Sequence, residues 1–508
     1  MLPDVPVLSD YGISPTTGFL PETLPLTRLP DPYYHKWESV VSELQALILS
    51  RRIRPVVDRL PVLSTVGLEN EAEWRRAYSL LCFMAHAYIW GGDKPAEKLP
   101  ASISAPLLQV SEHLQLPPVA TYAALCLWNY KPIFPDEPID DLENLATMNT
   151  FTGSLDESWF YLVSVAIEAR GAPILPTMMR AISAARAGDA RTVAACLRFF
   201  AERLTELSAI LQRVHENCDT NIFYHRIRPF FAGSKNMADA GLPNGVMYED
   251  AAGNIEYRQY AGGSNAQSSL IQFFDIILGI EHRPTGEKRT ADSDPNKRGR
   301  GKEHGFIAEM REYMPRDHAR FLADVSAVAN IRPFVESRKD DSELCLAFDA
   351  CLAMLSSFRD KHISIATRYI VMKAREARAR SRSRSPEATR QRVNLATAST
   401  KNQQGRGSRD EPQGDKGKKL TGTGGTSLLP FLKQARDETG EPAIAEWTKA
   451  YMNNKTKTQK LTPKLQRTQQ VVERDFEPSS GATAGLNGLA RSWAMDDDVG
   501  EVGGICNY

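Results

Sequence analysis

Apolar positions recur with a helical period along most of the chain. "WESVVSELQALIL" sets Trp37, Val40, Val41, Leu44, Leu47 and Ile48 on one stripe, the spacing that gives an α-helix a single buried face. "EWRRAYSLLCFMAHAYIW" continues the pattern and stops at Gly91–Gly92, a common helix end. "PPVATYAALCLW" opens on prolines, and its spacing predicts a helix from about Val119. "ESWFYLVSVAIEARG" is apolar almost all round and belongs deep in a core. "PTMMRAISAARAG", "ARTVAACLRFFAERLTELSAILQRVHENC", "QSSLIQFFDIILGI", "PRDHARFLADVSAV" and a long segment from about Ser342 to Ala374 repeat the period. One stretch, "VMYEDAAGNIEYRQY", alternates instead and predicts a hairpin turning at Gly253–Asn254. No internal repeat is visible. The fold class is all-α.

Four stretches fall outside this pattern. Residues 1–34 are rich in proline and read as an extended lead-in. Residues 284–303, "PTGEKRTADSDPNKRGRGKE", read as a polar surface insertion. Residues 375–420 carry "REARARSRSRSPEATRQR" and "QQGRGSRDEPQGDKGKK". That composition cannot bury enough apolar surface to offset the entropy of ordering, so it predicts a disordered loop. Residues 438–508 are mostly polar, run through the acidic "MDDDVGEVGG", and read as a disordered tail. The RSRSRS run is the kind of segment that binds RNA phosphates. No RNP-type aromatics or helix-turn-helix pattern accompany it, so a solvated loop is the better reading and no nucleic-acid partner is expected.

Composition narrows the class. The chain has 508 residues, enough for two or three domains, and 42% of them are hydrophobic. Formal net charge is zero, which points to neither nucleic acid nor a membrane surface. The seven cysteines are scattered and form no CxxC pair, a pattern that suits a reducing compartment and argues against a structural zinc or iron–sulfur site. "MLPDVPVLSD" has no basic or apolar signal-peptide region. No apolar run reaches the ~18 residues of a membrane span. The expectation is a soluble, cytoplasmic protein.

Four constellations carry candidate chemistry. In "SSFRDKHISIATRYIV", His362 shares a helical face with Leu355, Phe358, Ile365, Ala366 and Tyr369, and Arg359 lies one turn before it. An apolar wall with one imidazole and one arginine is what an axial haem ligand requires. A packed core histidine has the same spacing, and taken alone is the better reading. In "YAGGSNAQSS", Gly262 and Gly263 allow close backbone approach or positive φ, ahead of the helix "SSLIQFFDIILG". Taken alone, an N-capped helix start is the better reading of them. "LTGTGGTSLLPFLK" is a glycine-rich loop, punctuated by Gly422, Gly424 and Gly425, that could close over a ligand or serve as a hinge. It lacks the GKS/T ending of a phosphate-binding loop. In "NIFYHRIRPFFAGSKN", Arg228 follows Phe223 and Tyr224 by about one turn. It could hold a carboxylate bidentately or pack its stem on the core.

Taken together, "LPPVATYAALCLWNYK", "WFYLVSVAIEA", "FYHRIRPFFAG", "YAGGSNAQSSLIQFFDIILG", "MREYMPRDHARFL", "FRDKHISIATRYI" and "GTGGTSLLPFLK" occur in an order that resembles the indoleamine 2,3-dioxygenases. The resemblance runs from about Tyr11 to Asp437. The insertion and tail look like the fungal branch. It implies a small helical domain, 1–150, over the distal side of haem b, and a large helical haem domain, 151–437. His362 would be the proximal iron ligand. Arg359 would contact a haem propionate and pair with Asp275. The distal pocket would take in Tyr122, Phe160, Ser164, Phe223, Tyr224, Gly263 and Ser264. Arg228 would hold the substrate carboxylate, and Thr426 would belong to a loop closing over the amino-acid moiety. Two departures stand out: Tyr224, where vertebrate members carry a second phenylalanine, and Asn265, which replaces a small residue and would narrow the far pocket.

The implied reaction is cleavage of the indole C2–C3 bond of L-tryptophan by O₂ to N-formyl-L-kynurenine, the first step of tryptophan catabolism by the kynurenine pathway toward NAD. A cellular reductant would keep the haem ferrous, and a monomer with no membrane association is expected. None of these distal residues is a histidine or carboxylate, so no acid–base residue is expected and orientation is the protein's task. Two rivals are a haem protein of this fold that binds O₂ without turnover, and an RNA- or protein-interaction role through the RS-like loop. An O₂ carrier has no use for a carboxylate clamp. The tryptophan 2,3-dioxygenases place a histidine where this chain has Ser164.

Overall fold

The helical period is realised in the computed structural model, which describes residues 3–286, 305–382, 423, 428–445 and 448. All of these lie in the first of two units into which the chain divides, Met1–Asn454 and Lys455–Tyr508. Helices of eight or more residues are α1 His35–Ser42, α2 Glu71–Trp90, α3 Ala101–Leu114, α4 Leu155–Gly171, α5 Ile174–Ala187 and α6 Ala190–Gln212. They continue as α7 Ser269–Ile277, α8 Arg316–Val328, α9 Ser342–Ala366, α10 Lys373–Arg382 and α11 Leu428–Thr439. The fold is all-α.

Local chemistry sets the helix starts. Asn70 Oδ1 accepts from the Ala72 and Glu73 amides at the head of α2, Ser154 from Asp156 at α4, and Asp341 from Leu344 at α9. Each satisfies amides that the first turn leaves without partners. Helix α5 ends at Gly188, whose φ of 78° is the left-handed conformation that glycine adopts without steric cost. Helix α6 packs along α9, and α4 and α5 pack on α6. One continuous apolar core runs through these helices and α2.

The hairpin forms as the alternation predicts. Strands β3 Val246–Glu249 and β4 Ile255–Arg258 pair antiparallel around Gly253 at φ 83°. An earlier pair, β1 Tyr130–Pro132 with β2 Leu145–Thr147, was not anticipated. Three further differences concern helices. The helix expected from Val119 begins only after Tyr122, and Ala123–Leu127 is a π-type turn. The long segment to Ala374 is broken by another π-type stretch, Thr367–Met372, between α9 and α10. The third difference is at the C-terminal end, where the packed chain passes Asp437. Glu438 and Thr439 are buried, and Asp349 of α9 accepts from the Ile444 and Ala445 amides at 2.8 and 2.9 Å. Most of 284–303 and 375–420, and nearly all of the tail, lie outside the described residues. No described helix is long and apolar enough to cross a membrane.

Candidate active site

A cavity of about 260 Å³ opens between α4, α7, α9 and α11. Ten of the twelve residues that the resemblance assigns to the site line it, and so does Asn265. His362 and Arg359 come from α9, Phe160 and Ser164 from α4, and Asp275 from α7. Tyr122, Phe223 and Arg228 come from irregular turns, and Gly263 and Ser264 from the loop before α7. Two do not join them. Tyr224 is buried outside the cavity against Ala374, with Ile370 and Ala377 beside it. Thr426 lies outside the described residues.

His362 presents its imidazole to the cavity with Phe358, Ile363 and Ala366 around it. Burial, reinforced by the Arg359 charge, pushes its pKa down to about 4. The ring is therefore neutral at ordinary pH, the form that ligates iron. No group among the described residues hydrogen-bonds it, and the side chain is half-buried, lining the cavity. Nor do the described residues assemble three or more metal-ligating side chains anywhere. An iron held at His362 would take its remaining ligands from a macrocycle, and the apolar walls suit one. The donor set fits haem.

Beside this imidazole lies a buried ionic network. Arg359 donates to Asp275 Oδ1 at 2.5 Å, to the Ala435 carbonyl at 3.2 Å, and to Thr439 Oγ1. Asp275 Oδ2 meets His282 Nε2 at 3.0 Å, and His282 Nδ1 meets Glu438 at 2.7 Å. Burial alone would raise the pKa of Asp275, but Arg359 and His282 more than offset it and hold the carboxylate low. Burial works against the charged form of His282, yet Asp275 and Glu438 raise its pKa. The network ties α7, α9 and α11 together next to His362.

The opposite wall is aromatic. Phe160 packs on Phe223 and Phe231 with ring centroids 4.8 and 5.7 Å away, and Phe223 meets the edge of Tyr369 at 5.6 Å. Arg228 is 5% exposed. Desolvation lowers its pKa to about 10, partly countered by Tyr224, so the guanidinium stays charged at neutral pH. Two glycines are set by close approach and not by positive φ. A Cβ on Gly262 would lie 2.0 Å from the Phe231 carbonyl oxygen, and one on Gly263 would lie 2.6 Å from Leu125. Thr423 clasps the same segment: its carbonyl accepts from the Gly262 amide at 3.1 Å, and its hydroxyl donates to the Gly263 carbonyl at 2.8 Å.

Sequence reasoning missed Phe231, His282, Thr423 and Glu438, and also Glu168 behind the cavity wall. Glu168 had a signal: a carboxylate on a helix that is apolar almost all round has to be buried. His282 and Glu438 are 156 positions apart, and nothing local pairs them.

Known proteins resemble this chain over most of its length. The family model described as indoleamine 2,3-dioxygenase matches residues 7–442. An indoleamine 2,3-dioxygenase of Saccharomyces cerevisiae is 42% identical over 86% of this chain and 93% of its own. One of Aspergillus nanangensis is 40% identical over 85% and 96%. A 6-hydroxytryptophan 2,3-dioxygenase of Fusarium equiseti is 37% identical over 85% and 96%. The chain belongs to the indoleamine 2,3-dioxygenase family of oxidoreductases.

Proposed function

We propose that the protein binds haem b through His362 and uses O₂ to open the indole C2–C3 bond of L-tryptophan, releasing N-formyl-L-kynurenine. The observation that carries this reading is the unbonded, neutral imidazole of His362 in the same aromatic cavity as a charged, buried Arg228. Haem, when bound, supplies the activation of O₂. The chain's own residues bind and orient. Arg228 has the planar fork that grips a carboxylate bidentately. Phe160, Phe223 and Phe231 offer faces and edges to an indole. Arg359 would hold a propionate while anchored on Asp275. Thr423 is bonded to the Gly263 carbonyl, and by the same proposal Thr426 would close over the amino-acid moiety and exclude water.

The division into a covering domain, 1–150, and a haem domain, 151–437, belongs to the same proposal, as do the first step of tryptophan breakdown toward NAD, a cellular reductant, and a cytoplasmic monomer. The test is anaerobic reduction of the haem-loaded protein, then addition of O₂ with L-tryptophan or 6-hydroxytryptophan. The Soret band and formylkynurenine absorbance are followed together. Faster turnover of 6-hydroxytryptophan would move the substrate assignment; a Soret response without product from either would return the reading to an O₂-binding protein.

A further inference from the structure

Among the described residues the aromatic side of the cavity wall has no carboxylate, but one stands directly behind it. Glu168 lies on α4 one turn after Ser164 and is 1% exposed. Its Oε1 accepts from the Tyr122 hydroxyl at 3.0 Å and from the Ser268 hydroxyl at 2.7 Å. Its Oε2 has no hydrogen-bond partner among the described residues. Tyr122 and Ser268 both line the cavity. Ser268 Oγ also accepts from the Ile271 amide at 3.3 Å and so caps α7, the helix that carries Asp275. One buried carboxyl oxygen therefore fastens a cavity tyrosine and the start of a cavity helix to α4.

We propose that Glu168 is a positioning residue of this site, holding the Tyr122 ring and the α7 N-terminus through one oxygen and tightening that hold when it gives up its proton. The proposal rests on the tryptophan-dioxygenase reading above. Chemistry favours a proton that comes and goes near neutrality. An ionised carboxylate with one oxygen buried and unsatisfied is costly, and burial raises the pKa of Glu168 to about 7 against the smaller opposing effects of the Ser268 and Tyr122 hydrogen bonds. The titratable groups that face it are Tyr122 and Cys126, both from the turn at 122–127. Burial pushes each of these far up, so both stay protonated and neither competes for the transition. Ser164 and Ser268 are neutral, and no cation among the described residues acts on Glu168.

The consequence reaches the ligand through preorganisation. Hydrogen bonds to an ionised acceptor are roughly twice as strong as those to a neutral one. A loosened Tyr122 would have to be ordered when a ligand binds, which weakens affinity by roughly two- to tenfold. The wild-type protein should therefore bind L-tryptophan that much more tightly at pH 8 than at pH 6. Glu168→Gln keeps an acceptor oxygen and cannot ionise. It should fold, bind with the low-pH affinity of the wild type, and show no change across that range. Tyr122→Phe should likewise flatten the profile.

The experiment uses the full-length, haem-loaded protein. Infrared difference spectra over pH 5.5–8.5 report protonated carboxylic acid and the tyrosine C–O mode, and L-tryptophan dissociation constants are measured over the same range. The expected result is an acid band and a tyrosine band that titrate together near pH 7. The first should be missing in Glu168→Gln and the second in Tyr122→Phe, and the tryptophan affinity should follow the same midpoint. Bands that do not co-titrate overturn the proposal whatever tryptophan does. So does co-titration with an affinity that ignores pH and both substitutions, since Glu168 would then only fill space. Absence of tryptophan binding at every pH defeats the functional reading instead, and the two bands still judge the Glu168–Tyr122 hold on their own.

Discussion

Arg228 offers a test in which function and stability move in opposite directions. Its guanidinium is 5% exposed, and desolvation takes its pKa from 12.5 to about 10. At 1.36 kcal/mol per unit, that shift is a folding penalty of about 3 kcal/mol. The unfolded chain binds the extra proton between pH 10 and 12.5, so stability rises with pH across that window, and below pH 10 the whole penalty is present. Arg228→Leu removes it and should raise the denaturant midpoint of the ligand-free protein at pH 7, by up to about 3 kcal/mol. The same substitution removes one member of a buried charge pair with the substrate carboxylate, a loss of roughly 2–5 kcal/mol. KM for L-tryptophan should rise between about 30-fold and a few thousand-fold. Arg228→Lys should rescue little, because an ammonium lacks the planar fork. Haem content should hold. Tryptamine, which has no carboxylate, should be nearly indifferent. Equal losses for tryptophan and tryptamine, together with an unchanged or lowered midpoint, would refute the reasoning: Arg228 would then be a structural cation.

Other consequences are more direct. His362→Ala should abolish stable haem retention, and a variant that keeps a normal five-coordinate ferrous spectrum would make His362 a core residue. Deleting residues 384–415, beyond the end of α10 at Arg382, should leave haem binding intact and change turnover modestly, since loop-closure cost varies by only about 0.6 kcal/mol per doubling of length; complete loss of activity would mean the segment reaches the site. His282 is held with a raised pKa between Asp275 and Glu438, so its contribution to stability is full below the ordinary pKa of about 6.5 and fades as pH rises through the folded value. His282→Gln should therefore cost more stability at pH 5.5 than at pH 8.5, read as paired denaturation midpoints, and a pH-independent cost would show that the charge is irrelevant.

Much of the helical framework could be read from periodicity, because α4, α6 and α9 bury long apolar faces on one another. The irregular turns could not. Ala123–Leu127, Phe223–Ile227 and Thr367–Met372 are all π-type, and all border the cavity. Their residues would serve equally in an α-helix. What widens the turn is packing around a site, and π-type turns gather at functional sites for that reason. The β1–β2 pair was invisible for a different cause: three residues per strand are too few to display alternation. The packing just past Asp437 was not legible because polarity was read as exposure. Glu438 is 2% exposed, but it is matched to His282 and Arg283, which are distant in sequence. Charge that is satisfied by a remote partner looks the same in a sequence as charge that is satisfied by water.

The same limit explains why His362 could not be assigned from spacing, and the other histidines show what spacing leaves out. His86 also sits on a strongly apolar helix, α2, and is even less exposed. Its Nδ1 donates to the Phe230 carbonyl at 2.6 Å, and its Nε2 accepts from the Ala120 amide at 3.0 Å. Both nitrogens are used, the tautomer is fixed, and the ring is a packing residue that bridges α2 to the segments at 120 and 230. His318 leans on Ser269 through Nδ1 at 3.2 Å, and His282 spends both nitrogens on carboxylates. His362 spends neither on a described residue, and although desolvation lowers its pKa to about 4, the side chain keeps partial exposure where it lines the cavity. A neutral imidazole in that position has a nitrogen lone pair that a ligand can take up. The distinction between a core histidine and an iron ligand therefore lies in what the two ring nitrogens touch, a property of the tertiary fold that no helical wheel contains.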